Sequence, residues 1–212
     1  MDGLDNPIFS WAAVASTLLV ILILRSILQI FPSLVRCIRR WKGNIELEDS
    51  LQLSRSRNLV AAVLFIPLCM EIYRYSIYSP SFLKTLPSQW QFPATAAILA
   101  AYILLREAFN RIFKRKIIGE RVLTAANNSF YNYGILYFIL LSVAGVLLSL
   151  TVKDPWAITK ALRQLTLLSY LFYIFRRGQI FASSCGAFVS FLYLCELEIF
   201  PTGLLLISAV LL

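Results

Sequence analysis

The chain has 212 residues, 59% of them hydrophobic and only 15% charged, with a formal net charge of +9 and no histidine. An ordinary soluble domain carries about 45–50% apolar and about 25% charged residues, so this composition argues against a water-soluble globule. The lack of histidine excludes Ser–His–Asp chemistry, histidine-ligated haem and the common histidine-containing metal sites.

The apolar residues fall in six long blocks, each near the length that crosses a hydrocarbon core of about 30 Å. They predict a single all-α transmembrane domain over residues 1–212, with spans at about 8–31, 58–78, 94–113, 130–152, 156–175 and 186–212. Asp2 and Asp5 precede the first block and Arg25 follows its core, which reverses the charge order of a cleavable signal peptide. The block is therefore expected to remain as a span, with Trp11 at its outer end.

Pro32 marks a change after the first span. The stretch from Leu34 to Arg57 holds Arg36, Arg39, Arg40, Lys42, Arg55 and Arg57 beside Glu46, Glu48 and Asp49. Ile38 and Trp41 among those arginines fit an interfacial helix lying against headgroups. A first helix continued beyond the membrane fits equally. After the second span, Tyr73, Tyr75, Tyr78 and Trp90 form an aromatic belt around a loop holding Pro80, Pro87 and Pro93. The third span ends in Lys114-Arg115-Lys116. Lys153-Asp154-Pro155-Trp156 is a short turn that makes spans four and five antiparallel neighbours. Arg176-Arg177-Gly178 closes the fifth span.

The basic residues give the orientation. With both termini on the non-cytoplasmic side, fifteen lysines and arginines fall on the cytoplasmic ends and loops and five on the other side. That bias is the positive-inside pattern. It accounts for the net charge without invoking nucleic acid. Cys37, Cys69, Cys185 and Cys195 form no CxxC pair and read as small apolar residues rather than as a disulfide frame or zinc site.

Ionisable groups at membrane depth are expensive and mark candidate sites. Glu196 and Glu198 stand in the last span, in a segment that closes on Ile199, Phe200 and Pro201. Side chains two apart on a helix point about 200° apart, so one regular helix cannot aim both carboxylates at one site. Pro201 lacks an N–H and removes the usual partner of the Leu197 carbonyl. A kink at Pro201, eased by Gly203, is therefore expected beside the acids. Glu71, Arg74 and Arg163 are counted at a similar depth, so the five are expected to converge in the outer half of the bundle as an intramembrane polar site.

A second group lies at the cytoplasmic end of span three. Glu107 and Arg111 have the i,i+4 spacing of a local ion pair. Arg111, Lys114, Arg115 and Lys116 would attract anionic lipid headgroups. No GxSxG, HExxH, Walker A or GxGxxG pattern is present. No catalytic residue, metal or cofactor is expected. Ser183-Ser184-Cys185-Gly186 reads as a site of close helix packing.

The segment from Phe191 to Pro201, with Tyr193, Cys195, Glu196 and Pro201, resembles the closing motif of an uncharacterised polytopic membrane-protein family of Bacteroidota. Arg176-Arg177-Gly178-Gln179 fits that resemblance. It implies a bacterial inner membrane and carries no activity with it. Two functions are then expected: a small proton- or cation-coupled permease using Glu196, or a non-catalytic accessory or structural subunit of an envelope complex. The expected partners are the lipid bilayer and, on the second view, another membrane protein.

Overall fold

The computed structural model describes residues 7–112 and 119–211, and every regular element among them is helical. They are α1 (Pro7–Arg39), α2 (Lys42–Asp49), α3 (Leu51–Arg74), α4 (Ser81–Thr85), α5 (Ser88–Ile112), α6 (Glu120–Thr151), α7 (Pro155–Ala182), α8 (Ala187–Leu194), a π-helical turn (Cys195–Ile199) and α9 (Phe200–Leu211). The last three form one stretch that corresponds to the sixth expected span.

Five helices are both long and apolar enough to cross a membrane: Ile8–Arg39, Leu51–Arg74, Ser88–Ile112, Glu120–Thr151 and Phe188–Ile207. Their outward faces carry large exposed apolar side chains, among them Leu22 at 77% and Leu150 at 79% of full accessibility. Such continuous apolar surface is stable against acyl chains and not against water. The expected fifth span falls on α7, which has 28 residues. Lys160, Arg163, Gln164, Arg176 and Arg177 keep its composition below that of the other five.

The helices run further than the apolar blocks predict. Helix α1 passes through Pro32 to Arg39, so the proline does not end it. Bilayer helices tolerate proline because neighbours satisfy the freed backbone groups. In the basic stretch the first helix continues past the apolar block, as one of the two expected arrangements has it, and α2 then folds back as a short separate helix packed on α1, α3 and α6. Gly43, Asn44 and Leu47 of α2 are buried.

Helix α3 packs on α1, α5 and α6, while α6 also packs along α7. The largest core joins Ile30, Leu34 and Cys37 of α1 to Leu47 of α2, Val60 and Leu64 of α3 and Ile135 of α6. Polar groups stitch the same junction. Asn132 donates to Asn44 at 2.9 Å, and the Tyr133 hydroxyl donates to the Cys37 carbonyl at 3.0 Å. Buried Arg57 donates to Glu48 at 2.6 Å, and Asn128 donates to the same carboxylate at 2.8 Å.

The return of α2 onto α1 depends on Gly43. A Cβ there would lie 2.8 Å from the Arg36 carbonyl carbon and 2.9 Å from its oxygen. Backbone atoms of a helix cannot step aside as a flexible side chain can. Gly43→Ala is therefore expected to destabilise the protein by about 1–3 kcal/mol, the range for overpacking. Gly134→Ala, in the interior of α6, whose Cβ would meet nothing within 4 Å, is the control that does not lower the midpoint and raises it if helix propensity alone acts. Thermal unfolding in detergent compares the two.

Candidate functional site, a buried two-arginine carboxylate network

The π turn fixes which glutamate faces inward. Pro201 has no N–H to give, and the Phe200 N–H reaches back five residues to the Cys195 carbonyl. The extra residue per turn widens the helix over Cys195–Ile199. Glu198 is fully buried by it, whereas Glu196 is half-buried and makes no ion pair among the described residues. The two carboxylates diverge, as their spacing requires.

Glu198 Oε1 accepts from Arg106 Nε at 2.9 Å and from Arg106 Nη2 at 2.6 Å. It also pairs with Arg177. The Tyr173 hydroxyl donates to the same oxygen at 2.7 Å and accepts from Arg106 at 3.0 Å and Arg177 at 2.8 Å. Arg177 Nη2 donates to Asn127 at 2.9 Å and to Asn110 at 3.4 Å. The Arg106 guanidinium lies 4.1 Å from the Phe130 ring centroid, and that of Arg177 lies 5.3 Å from the ring of Phe181. Two cations thus share one anion, and neutral acceptors and ring faces carry the remaining positive charge. Glu198 Oε2, Arg177 Nε and Asn110 Nδ2 have no hydrogen-bond partner among the described residues.

These groups come from α5, α6, α7 and the π turn. Helix α7 supplies the seam. Thr159, Arg163, Thr166, Tyr170, Tyr173 and Arg177 follow one another four and three residues apart, which keeps them on one face. Each hydrogen-bonds to another element: Thr159 to the Tyr75 carbonyl, Arg163 to Ser76, Thr166 with Tyr137, and Tyr170 to the Glu198 carbonyl. The opposite face, with Leu168, Leu171 and Phe175, is exposed and apolar. Polar inside and apolar outside is the arrangement a bilayer favours.

The expected five-residue convergence is not found. Arg163 donates to the Ser76 carbonyl at 2.6 Å and to Ser79 Oγ at 3.3 Å, pinning a turn in which Ser76 takes a positive φ of 49°. Arg74 is exposed, with its guanidinium 5.5 Å from the Tyr75 ring centroid. Glu71 is half-buried, and its Oε2 has no hydrogen-bond partner among the described residues. These three lie near the C-terminus of α3 and the N-terminus of α7, whereas Glu198 is level with the far end of α7.

Counting residues placed Glu198 in the outer half because the count ignores side-chain direction. Each Cα–Cβ bond tilts toward its helix N-terminus. Arg106 and Arg177 therefore lean inward from the ends of α5 and α7, while Glu198, on the antiparallel last helix, leans toward them. In the second group, Arg111 pairs with Glu107 at 3.2 Å, as the spacing predicts. Lys114, Arg115 and Lys116 lie outside the described residues.

Between α5 and α7, at the end opposite the network, lies a groove of about 840 Å³ whose lining includes Thr95, Trp156, Lys160, Arg163, Gln164 and Leu167. Neither Glu196 nor Glu198 lines it.

The charge count of the network makes an asymmetric prediction. Glu198→Gln strands two buried cations and should cost about 3–5 kcal/mol of stability, the range for breaking a buried pair. Arg106→Gln leaves the Arg177–Glu198 pair neutral and should cost less. The double variant should fall well short of the sum, while Glu196→Gln combined with Arg163→Gln should be additive. Equal losses for Glu198→Gln and Arg106→Gln in detergent unfolding would refute the shared-anion arrangement. Comparison with family models, with curated proteins and with solved structures finds no match, so the functional reading rests on this geometry.

Proposed function

We propose that this membrane protein is a non-catalytic accessory or structural subunit of a bacterial inner-membrane complex. The observation that carries the reading is the complete burial of Glu198 between Arg106 and Arg177. A group that loads and releases a proton or cation needs a route to water. This carboxylate is instead spent on joining three helices, which suits a scaffold whose shape is presented to another membrane protein.

In this reading α7 also crosses the bilayer, giving six spans with both termini on the non-cytoplasmic side. Support comes from its 28-residue length, its packing along α6 and the hydrogen bonds its polar seam makes to other elements. Lys160 and Arg163 lie within two turns or so of its N-terminus, where long cationic side chains reach the interface. The π turn before Pro201 supports a last helix that bends there.

The second reading is a small permease, favoured by the groove between α5 and α7. Its lining holds Lys160 and Arg163 and no carboxylate, which does not suit a cation. Affinity purification of the tagged protein from native membranes, followed by flux in proteoliposomes, separates the two. A stoichiometric membrane partner and no proton or cation flux is the expected result. Flux abolished by Glu196→Gln or Glu198→Gln would sink the subunit reading.

A further inference from the structure

We propose that the groove between α5 and α7 is a binding site for an anionic phospholipid, with the phosphate held by Lys160 and Arg163. The charge is one-sided: both cations line the groove and no acid does. Lys160 Nζ lies 5.1 Å from the Trp156 ring centroid, so cation and aromatic belong to one wall. Arg163 is fixed rather than free to wander, because one of its nitrogens is held by the Ser76 carbonyl and Ser79. Its Nε and Nη1 N–H groups remain to donate singly to phosphate oxygens.

Depth argues for a lipid rather than a free anion. Helix α7 begins at Pro155, so the wall from Trp156 to Leu167 covers about 18 Å of helix at about 1.5 Å per residue. On the six-span reading proposed above, on which this step rests, the wall passes from the aromatic interface into the hydrocarbon region. Trp156 is 70% and Leu167 57% exposed, giving this wall an apolar surface that inorganic phosphate would not use and acyl chains would. Gln164 stands with the cations to meet ester or glycerol oxygens. The volume is that of an ordinary small-molecule site, enough for a headgroup and the first acyl carbons. The site lies at the opposite end of the bundle from the basic cluster around Arg111, and it does not depend on the subunit reading.

The test titrates the purified full-length protein, in a neutral detergent, with short-chain phosphatidylglycerol, short-chain phosphatidylcholine and inorganic phosphate, following tryptophan fluorescence. Native mass spectrometry of the protein from phosphatidylglycerol nanodiscs gives a count of retained lipid that does not rely on a fluorophore. A saturable response to phosphatidylglycerol alone is expected, lost in Trp156→Phe. Lys160 is exposed and makes no clamp, so Lys160→Gln should fold normally. It should bind about five-fold more weakly, as expected for one interfacial basic residue, and retain less lipid. Equal binding of phosphatidylcholine, equal competition by inorganic phosphate, an unchanged response in Trp156→Phe, or wild-type affinity in Lys160→Gln would each overturn the proposal.

Discussion

Three ionised side chains in a dry interior are tolerable only if each is turned toward the others. In this protein Arg106, Arg177 and Glu198 are all at most 2% exposed. Bare burial of such groups would cost several kcal/mol apiece, and their mutual attraction offsets that only with good hydrogen-bond geometry. Tyr173 improves the geometry by donating to the carboxylate while accepting from both guanidinium groups. The phenol occupies the point where the two cations would otherwise face each other. The network is therefore a constraint more than a source of net stability. It dictates how α5, α7 and the last helix meet, since any slip of one element uncovers a charge.

The π turn follows from that constraint together with Pro201. A regular helix would leave the Leu197 carbonyl without its N–H and would orient Glu198 differently relative to α5. Inserting a wider turn lets the Phe200 N–H bond to Cys195 and moves Glu198 into line with Arg106. Local and tertiary requirements thus coincide at one turn. Leu194, immediately before it, rests on Gly178 of α7, where an added Cβ would come within 3.1 Å of the leucine Cδ1. Close approach of α7 and the last helix is therefore built into the same region as the ion pairs.

Much of the fold was legible in the sequence because length and hydropathy report directly on bilayer crossing. The helices, the short turn at Lys153–Trp156 and the Glu107–Arg111 pair all follow from local spacing. The acids before Pro201 are visible in the sequence as unusual groups, but the expectation put Glu196 first and both carboxylates in one site, whereas Glu198 is the one that is buried. Their partners were not legible. Arg106 and Arg177 stand near span ends, where a cation ordinarily reports orientation, and nothing local separates a topological arginine from a buried one. The polar repeat of α7 was a usable signal: Thr159, Arg163, Thr166, Tyr170, Tyr173 and Arg177 mark a seam that must face protein. Reading the helix by average hydropathy hides that seam.

The seam also explains why a groove and a sealed network occur on the same pair of helices. At one end Arg177 and Tyr173 of α7 meet Arg106 of α5 across Glu198, and the last helix fills the space between them. At the other end that filler is absent from the lining. Thr159 and Arg163 of α7 reach instead for the carbonyls of Tyr75 and Ser76 in the turn after α3. Helix α5 is carried there by α3, on which it packs, and not by α7. Two helices tied at one end through a third, and at the other only through a turn, must leave a cleft where the third gives out. Tyr102 and Thr202, hydrogen-bonded at 3.0 Å, belong to α5 and α9 and extend the packed side of that boundary. The charge of the cleft follows from its lining: the fully buried carboxylate of the last helix is committed to Arg106 and Arg177 at the other end, and Lys160 and Arg163 line the cleft with no acid beside them in its wall.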